Sequence, residues 1–493
     1  MKSRALALLL TGSCASSLSH VRPERDPSNA GAGESPLPER STVLRSDAGS
    51  DRVEGQTLST GREGLPAHVA PSSKEDERVE ERVRELTSQP LSLDSAFEVA
   101  LLRNRSLQAT YESIGVAQAD LVQAGLLRNP TLSGSVRLPL SPGGLIELEG
   151  SLVEDFLSLF TLPLRKRFAS LALEDAKFRV GSAVLELSAD VQVAFVRLQA
   201  AQQLVVLRQK LMDAEGASSE LAARQYRAGN IPELDAVNRQ AAYEEARLEV
   251  ARAENDVLDA RETLTRLMGV WGQQAGWQVT APLPPVPEKD VELEHLEPSA
   301  LSRRLDLAAA RTETESLTRA LELASGTRFL TQLEVGVSGS RDTEGNRVLG
   351  PTISLELPLF DQHQAQLARL EAQVRQARAH QEGLAIEVRS EVRRAYSRLH
   401  STRAIVEHYR TVLLPLRERT VRLSQERYNA MLLGVYGLLQ AKQLEISAYR
   451  EYLFGVRDYW IARSELERAS GGKLPSPSRN APAKPSSATS GAP

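Results

Sequence analysis

Apolar positions along this chain recur with two periods. Ala246, Val250, Ala253, Val257, Ala260, Leu264 and Leu267 follow a 4-3-4-3-4-3 spacing, the seam of a long helix packed on another helix. Ile446, Tyr449, Leu453, Val456 and Trp460 form a second stripe, spaced 3-4-3-4. Elsewhere the period drops to two. Leu132, Val136 and Leu138 alternate with Ser133, Ser135 and Arg137, and Ile146, Leu148 and Leu152 alternate with Glu147, Glu149 and Ser151. The stretches 332–338 and 352–357 alternate in the same way. That period predicts strands with one apolar and one polar face. Ser141-Pro142-Gly143-Gly144 and Asp342-Thr343-Glu344-Gly345-Asn346 supply turns for two hairpins.

Helices are predicted over 92–128, 165–215 and 233–269, and again over 298–328, 361–413 and about 436–469. Ser92 and Asp94 occupy capping positions, Asn129-Pro130 stops the first helix, and Arg227-Ala228-Gly229-Asn230 makes a turn. Pro415 is expected to kink or interrupt the last region. Helix, hairpin and helix thus occur twice. Residues 162–180 (LPLRKRFASLALEDAKFRV) match 357–375 (LPLFDQHQAQLARLEAQVR), with Pro163 and Pro358 195 positions apart. Tyr226 and Tyr428 are 202 apart, whereas Val257 and Trp460 are 203 apart, which predicts one inserted residue after Tyr428. So long a period exceeds the ~20–50 residues of a solenoid unit and marks two fused copies.

Composition adds a compartment. Aromatic residues are 4 % and net charge is −4, so helices are favoured and no nucleic-acid partner is implied. No run approaches the ~18–20 apolar residues of a membrane helix. Lys2 and Arg4, the apolar Ala5–Leu10 and the small residues before Cys14 form a secretion signal. Gly12-Ser13-Cys14 resembles a lipobox, which makes Cys14 a candidate lipidation site. The expected organisation is a signal at 1–14, a disordered tether at 15–85, a first repeat at 86–275, a Pro-rich crossover at 276–294, a second repeat at 295–470 and a disordered tail at 471–493.

Two hairpins give four strands, and membrane barrels need about eight or more. If the strands cross lipid, copies of the chain must join, because an open edge there costs several kcal/mol per unpaired backbone group. The same alternation also fits a soluble hairpin layer packed on the helices.

The ordered set of local motifs resembles the TolC-like outer membrane efflux protein family. The likeness spans about 86–470 and is carried by Leu91–Ala96, Gln123–Leu132, Tyr226–Gly229, Leu264–Gly269 and Leu357–Asp361. It implies a mainly α fold with a transmembrane β-barrel portion: a homotrimer forms a twelve-stranded barrel in outer membrane lipid, continued by an α-helical tunnel in the periplasm. It also implies two partners, a periplasmic adaptor and an inner-membrane pump that supplies the energy. Tyr428–Tyr436, Tyr449–Tyr452 and Arg457–Arg463 resemble the heavy-metal efflux branch. By the same resemblance the tips at 224–237 and 427–440 serve as gate and docking surface. Glu233 and Asp235, with Met431, Leu432 and Tyr436, are the gate candidates, and Arg224, Arg227, Gly229 and Arg427 are the adaptor contacts. Gly437 and Gln440 stand where other members carry aspartates. Glu147, Glu149, Glu334 and Glu356 are expected to face the lumen and favour cations.

No cofactor or metal ligand set is expected. The seven His residues are scattered, His400 and His408 on a solvated helix face, and Met numbers four. No Ser/His/Asp, paired-acid or phosphate-loop constellation points to an enzyme. A secreted coiled-coil scaffold is the competing reading; it accounts for the heptads but not for the duplicated hairpins. An adaptor is weaker still, since its strand-rich modules are not evident.

Overall fold

The computed structural model describes residues 74–138, 146–287, 296–328, 333–341, 344–356 and 358–474. Cys14, the tether through residue 73, the turn at 141–144 and the tail beyond 474 lie outside the described residues. The first half runs α1 (Lys74–Ser88), α2 (Leu93–Arg103), α3 (Arg105–Ala124), β1 (Thr131–Arg137), β2 (Glu147–Asp155), α4 (Phe156–Arg227) and α5 (Glu233–Met268). The second runs α6 (Leu296–Arg303), α7 (Leu305–Thr327), β3 (Leu333–Arg341), β4 (Arg347–Leu355), α8 (Gln364–His408), α9 (Leu414–Asn429) and α10 (Val435–Ala469).

The strands form one antiparallel sheet in the order β1-β2-β3-β4. The central pair, β2 with β3, joins the two repeats. Among the described residues the outer edges of β1 and β4 carry no partner strand.

α4 is 72 residues long, ~110 Å at 1.5 Å per residue. It begins nine residues before the expected start, at Phe156, and absorbs Pro163. The matching Pro358 instead lies in irregular chain, and α8 begins only at Gln364. One motif therefore gives helix in the first copy and a linker in the second. Pro415 is accommodated by a π-helical stretch, Tyr409–Leu413, in which Leu414 N–H reaches back five residues to the Tyr409 carbonyl. The wider turn takes up a residue that cannot donate. α9 then fills a region for which no helix was predicted, so α8 and α9 together mirror α4.

Two predicted helices are in fact broken. Asn104 ends α2 and caps α3: its side chain accepts from Leu107 N–H and donates to the Leu267 carbonyl at 2.8 Å. Arg304 separates α6 from α7 in the same place and bonds Asp306 at 2.6 Å and Glu391 at 2.6 Å. Burial raises the Asp306 carboxyl, but the Arg304 hydrogen bonds and charge outweigh it and leave the group below the usual carboxylate range.

Residues 74–85, expected in the tether, are helical and form α1 with 86–88, the expected start of the first repeat. Val79 and Val83 of α1 enter the first core with Val99, Val191, Leu264, Met268 and Trp277. Val79, Val83 and Leu86 are the only apolar residues in a run of charges, and Leu86 packs against the same core, so the helix was not apparent from composition. In the described part of the crossover, carbonyls accept from side chains instead of a ladder. Gln199 donates to the Ala281 carbonyl at 2.9 Å, Trp460 to Pro284 at 2.8 Å and Arg403 to Pro287 at 3.1 Å.

The inserted residue predicted after Tyr428 is absent. Gly269 and Gly471 end α5 and α10 in left-handed conformation, φ 66° and 76°, and are 202 positions apart, like Tyr226 and Tyr428. Counted at 202, Val257, Ala260 and Leu264 correspond to Tyr459, Ala462 and Leu466, all three fully buried. The Ile446–Trp460 stripe is a neighbouring one, and its Val456 enters a different core with Val196 and Val406. A wide apolar face carries two stripes, and spacing alone selected the wrong one.

A Cβ at Gly269 would lie 2.4 Å from the Arg103 carbonyl oxygen. Gly269→Ala should destabilise the protomer by about 2–3 kcal/mol, through strain at positive φ and a backbone clash. Gly229→Ala, where nothing lies within 4 Å, should cost about 1 kcal/mol. Denaturant unfolding of both variants checks the difference.

Candidate functional site

Register assigns every strand residue to a face. Arg137 lies opposite Glu147, Ser135 opposite Glu149 and Ser133 opposite Ser151. Across the central pair, Glu149 meets Ser340, Ser151 meets Ser338 and Asp155 meets Glu334. On β4, Thr352 and Ser354 continue this face, and Glu356 follows two residues on. The four glutamates expected in the lumen thus share one polar side. Cross-strand bonds knit it together: Ser133 with Ser151 at 2.7 Å, Arg137 to Glu147 at 3.4 Å and Thr352 to Ser338 at 2.7 Å.

The reverse face holds Leu132, Val136, Leu148, Leu152, Val335, Val337, Leu349, Ile353 and Leu355. These side chains are exposed, Leu132 at 78 % and Leu349 at 79 %. Charge on this face is confined to its ends, Glu154 toward the helices and Arg341 and Arg347 toward the β3–β4 turn, and an exposed apolar band between them fits lipid. Toward the helices, Phe156, Leu159, Phe160, Leu359 and Phe360 are also exposed, Phe360 at 93 %. Phe156 and Phe160 pack edge to face at 5.5 Å. These residues extend the exposed apolar surface of the sheet onto the first turn of α4 and the chain after β4. Among the described residues no helix is long and apolar enough to cross a membrane. The sheet is the spanning element.

At the other end of the long helices, α4–α5 and α9–α10 form two tips with one backbone design. Gly229 N–H bonds the Tyr226 carbonyl and Asn230 N–H the Gln225 carbonyl; Met431 and Leu432 repeat this with Tyr428 and Arg427. Both are helix-ending turns that need a left-handed residue. Gly229 has φ 75° at no cost, but Met431 has φ 60°, a strain of about 1 kcal/mol. Met431 is 94 % exposed and Leu432 is exposed beside it.

Tyr436 points the other way. Its hydroxyl donates to Gln225 Oε1 at 2.8 Å, and the Arg239 guanidinium lies 4.5 Å from its ring centroid. It links the second tip to the first instead of packing outward with Met431 and Leu432. Gln225 and Arg239 stand on no apolar seam, so pattern did not single them out. Tyr449, on α10, donates to Glu418 on α9 at 2.6 Å, and that bond pushes its hydroxyl up to about 12.

Glu233 and Asp235 occupy the first turn of α5, exposed at the positive end of the helix dipole. Neither is paired with a cation among the described residues. Arg224 pairs with Glu220, Arg227 donates to the Ala223 carbonyl at 3.3 Å, and Arg427 is exposed. These residues gather at the tips; the four glutamates lie far along the helices at the sheet. His400 and His408 are exposed on α8. Among the described residues no three His, Cys, Asp or Glu side chains cluster to hold a metal.

The family model described as outer membrane efflux protein matches residues 167–270 and 296–472. The cobalt-zinc-cadmium resistance protein CzcC of Cupriavidus metallidurans is 26 % identical over 399 residues, 78 % of this chain and 90 % of that protein. The Campylobacter jejuni CmeC outer membrane channel superposes with TM-score 0.66 at 14 % identity, covering 77 % of this chain and 85 % of its own. A membrane protein of Pseudomonas aeruginosa gives TM-score 0.65 at 21 % identity, covering 77 % and 93 %. With its apolar sheet face, open strand edges and paired helix tips, the chain belongs to the outer membrane efflux protein family, as the outer membrane duct of a tripartite efflux system that works as a trimer with a periplasmic adaptor and an inner-membrane pump.

Proposed function

We propose that this duct passes divalent metal cations and does not change them chemically. The observation that carries the reading is the acidic polar face of the sheet. Glu147, Glu149, Asp155 and Glu334 lie on it, against Arg137 as the one cation of that face within the strands. In a trimer this charge is repeated three times around a narrow axis and favours cations. The resistance named for the Cupriavidus relative supports the same substrate class. The duct needs no ligand set of its own, since selection by a pump precedes it.

We assign the gate to the tips. Tyr436, held by Gln225 and Arg239, ties the second hairpin to the first, and Glu233 and Asp235 ring the axis in three copies. Met431 and Leu432 project from the second tip, and with Arg224, Arg227, Gly229 and Arg427 they form the surface for the adaptor. The strain retained at Met431 supports this, because glycine would relieve it at the loss of an exposed apolar side chain. Cys14 is assigned as a lipid anchor.

A strain lacking the duct and complemented with this chain, its pump and its adaptor should regain tolerance to cobalt, zinc or cadmium. Tolerance restored only to organic solutes ends the metal reading. The triple variant Glu147→Gln, Glu149→Gln, Glu334→Gln should lower the cation-to-anion permeability ratio of reconstituted channels by about threefold, the effect of ~0.7 kcal/mol in lumen potential. Tyr436→Ala removes both a hydrogen bond and a cation–π contact, together ~1–2.5 kcal/mol. It should raise resting conductance more than Tyr436→Phe does, and Asp235→Ala should raise it too. Conductance unchanged in all three removes these residues from the gate.

A further inference from the structure

A cavity of about 230 Å³ lies where the sheet meets the helical tunnel. Three guanidiniums, from Arg128, Arg165 and Arg328, and the His363 imidazole line it together with a single carboxylate, Asp155. That carboxylate is already engaged: Arg128 Nη1 donates to it at 3.1 Å and Ser158 N–H at 3.3 Å. Arg165 donates to the Ser158 carbonyl at 3.1 Å and makes no ion pair with a described residue. Its Nε and the His363 Nδ1 are buried without a hydrogen-bond partner. A buried guanidinium N–H that lacks an acceptor costs about 1–3 kcal/mol, and His363 Nδ1 donates beside it in the tautomer that carries its proton there, so this lining favours a ligand that accepts. His363 is also held at φ 57°, and left-handed non-glycine residues gather at ligand clamps.

We propose that this cavity binds a single phosphate-type oxyanion, held chiefly by Arg165, Arg328 and His363. Planar guanidiniums match the oxygen spacing of such groups. The volume falls below the roughly 300–1,000 Å³ of pockets for drug-sized ligands, which suits a small anion. One carboxylate among so many cations makes the site unfit for a metal ion.

The first turns of α4 indicate the source. At 100° per residue, Ser158, Thr161 and Arg165 share the cavity side, while Phe156, Leu159 and Phe160 share the opposite, lipid-facing side. Asp155 belongs to the polar face of the sheet. The anion therefore comes from the lumen, and three such sites form a cationic collar beneath the acidic barrel. This assignment does not depend on which substrate the duct carries.

The test uses the purified full-length channel, with inorganic phosphate against chloride at equal ionic strength, followed by calorimetric titration and thermal unfolding. Phosphate is expected to bind and to raise the melting temperature. Arg165→Gln should weaken binding about tenfold, the loss of one charge-assisted bond. Should Arg165→Gln fail to assemble, His363→Asn carries the same test, since asparagine tolerates the turn and reaches less far. A phospholipid that co-purifies with the wild type and is lost from Arg165→Gln, without a response to free phosphate, overturns the lumenal source and gives the site to a lipid headgroup. No response to phosphate and no bound phospholipid overturns the site itself, as does phosphate binding left intact by both variants.

Discussion

Backbone hydrogen bonding in lipid is the constraint on which this molecule rests. Among the described residues the sheet has four strands, an exposed apolar face and two edges without a partner strand. In hydrocarbon each unpaired N–H or C=O costs several kcal/mol. β4 of one copy must therefore meet β1 of the next until the wall closes, and three copies supply twelve strands. Joining of copies is a condition of crossing the membrane, and the trimer of this family meets it.

The duplication serves that closure. Each repeat contributes one hairpin, and β2 with β3 joins them into a single curved unit. The helices repeat the same economy at their ends. Gly269 and Gly471 approach the Arg103–Asn104 and Arg303–Arg304 backbones, 2.4 Å and 3.1 Å from where a Cβ would stand. Asn104 and Arg304 break the adjoining helices at matching points. Symmetry fails where function differs: Met431 replaces glycine at one tip, and Pro163 sits in helix where Pro358 does not.

Charge is distributed along the duct in bands. The polar face of the sheet is acidic, its junction with the helices is lined by Arg128, Arg165 and Arg328, and the tips carry Arg224, Arg227 and Arg427 with Glu233 and Asp235 at a helix start. Their order follows from which helix turn and which strand face each residue occupies.

Local pattern alone determined the strands, the seam of α5 and the shared strand face of the four glutamates, because periods of two and of three to four are direct readouts of backbone geometry. It also fixed the repeat, since sequence likeness survives translation along the chain. It did not determine α1, whose Val79, Val83 and Leu86 signify only against a core built from distant elements. It also misplaced the second seam, since a broad helix face offers two stripes and only neighbours choose between them. The Tyr436–Gln225–Arg239 link and the cavity around Arg165 and His363 unite residues from separate elements, more than 190 positions apart at their extremes. No local rule connects such residues; the packing of α4 against its partners and the closing of the sheet onto the helices brought them together.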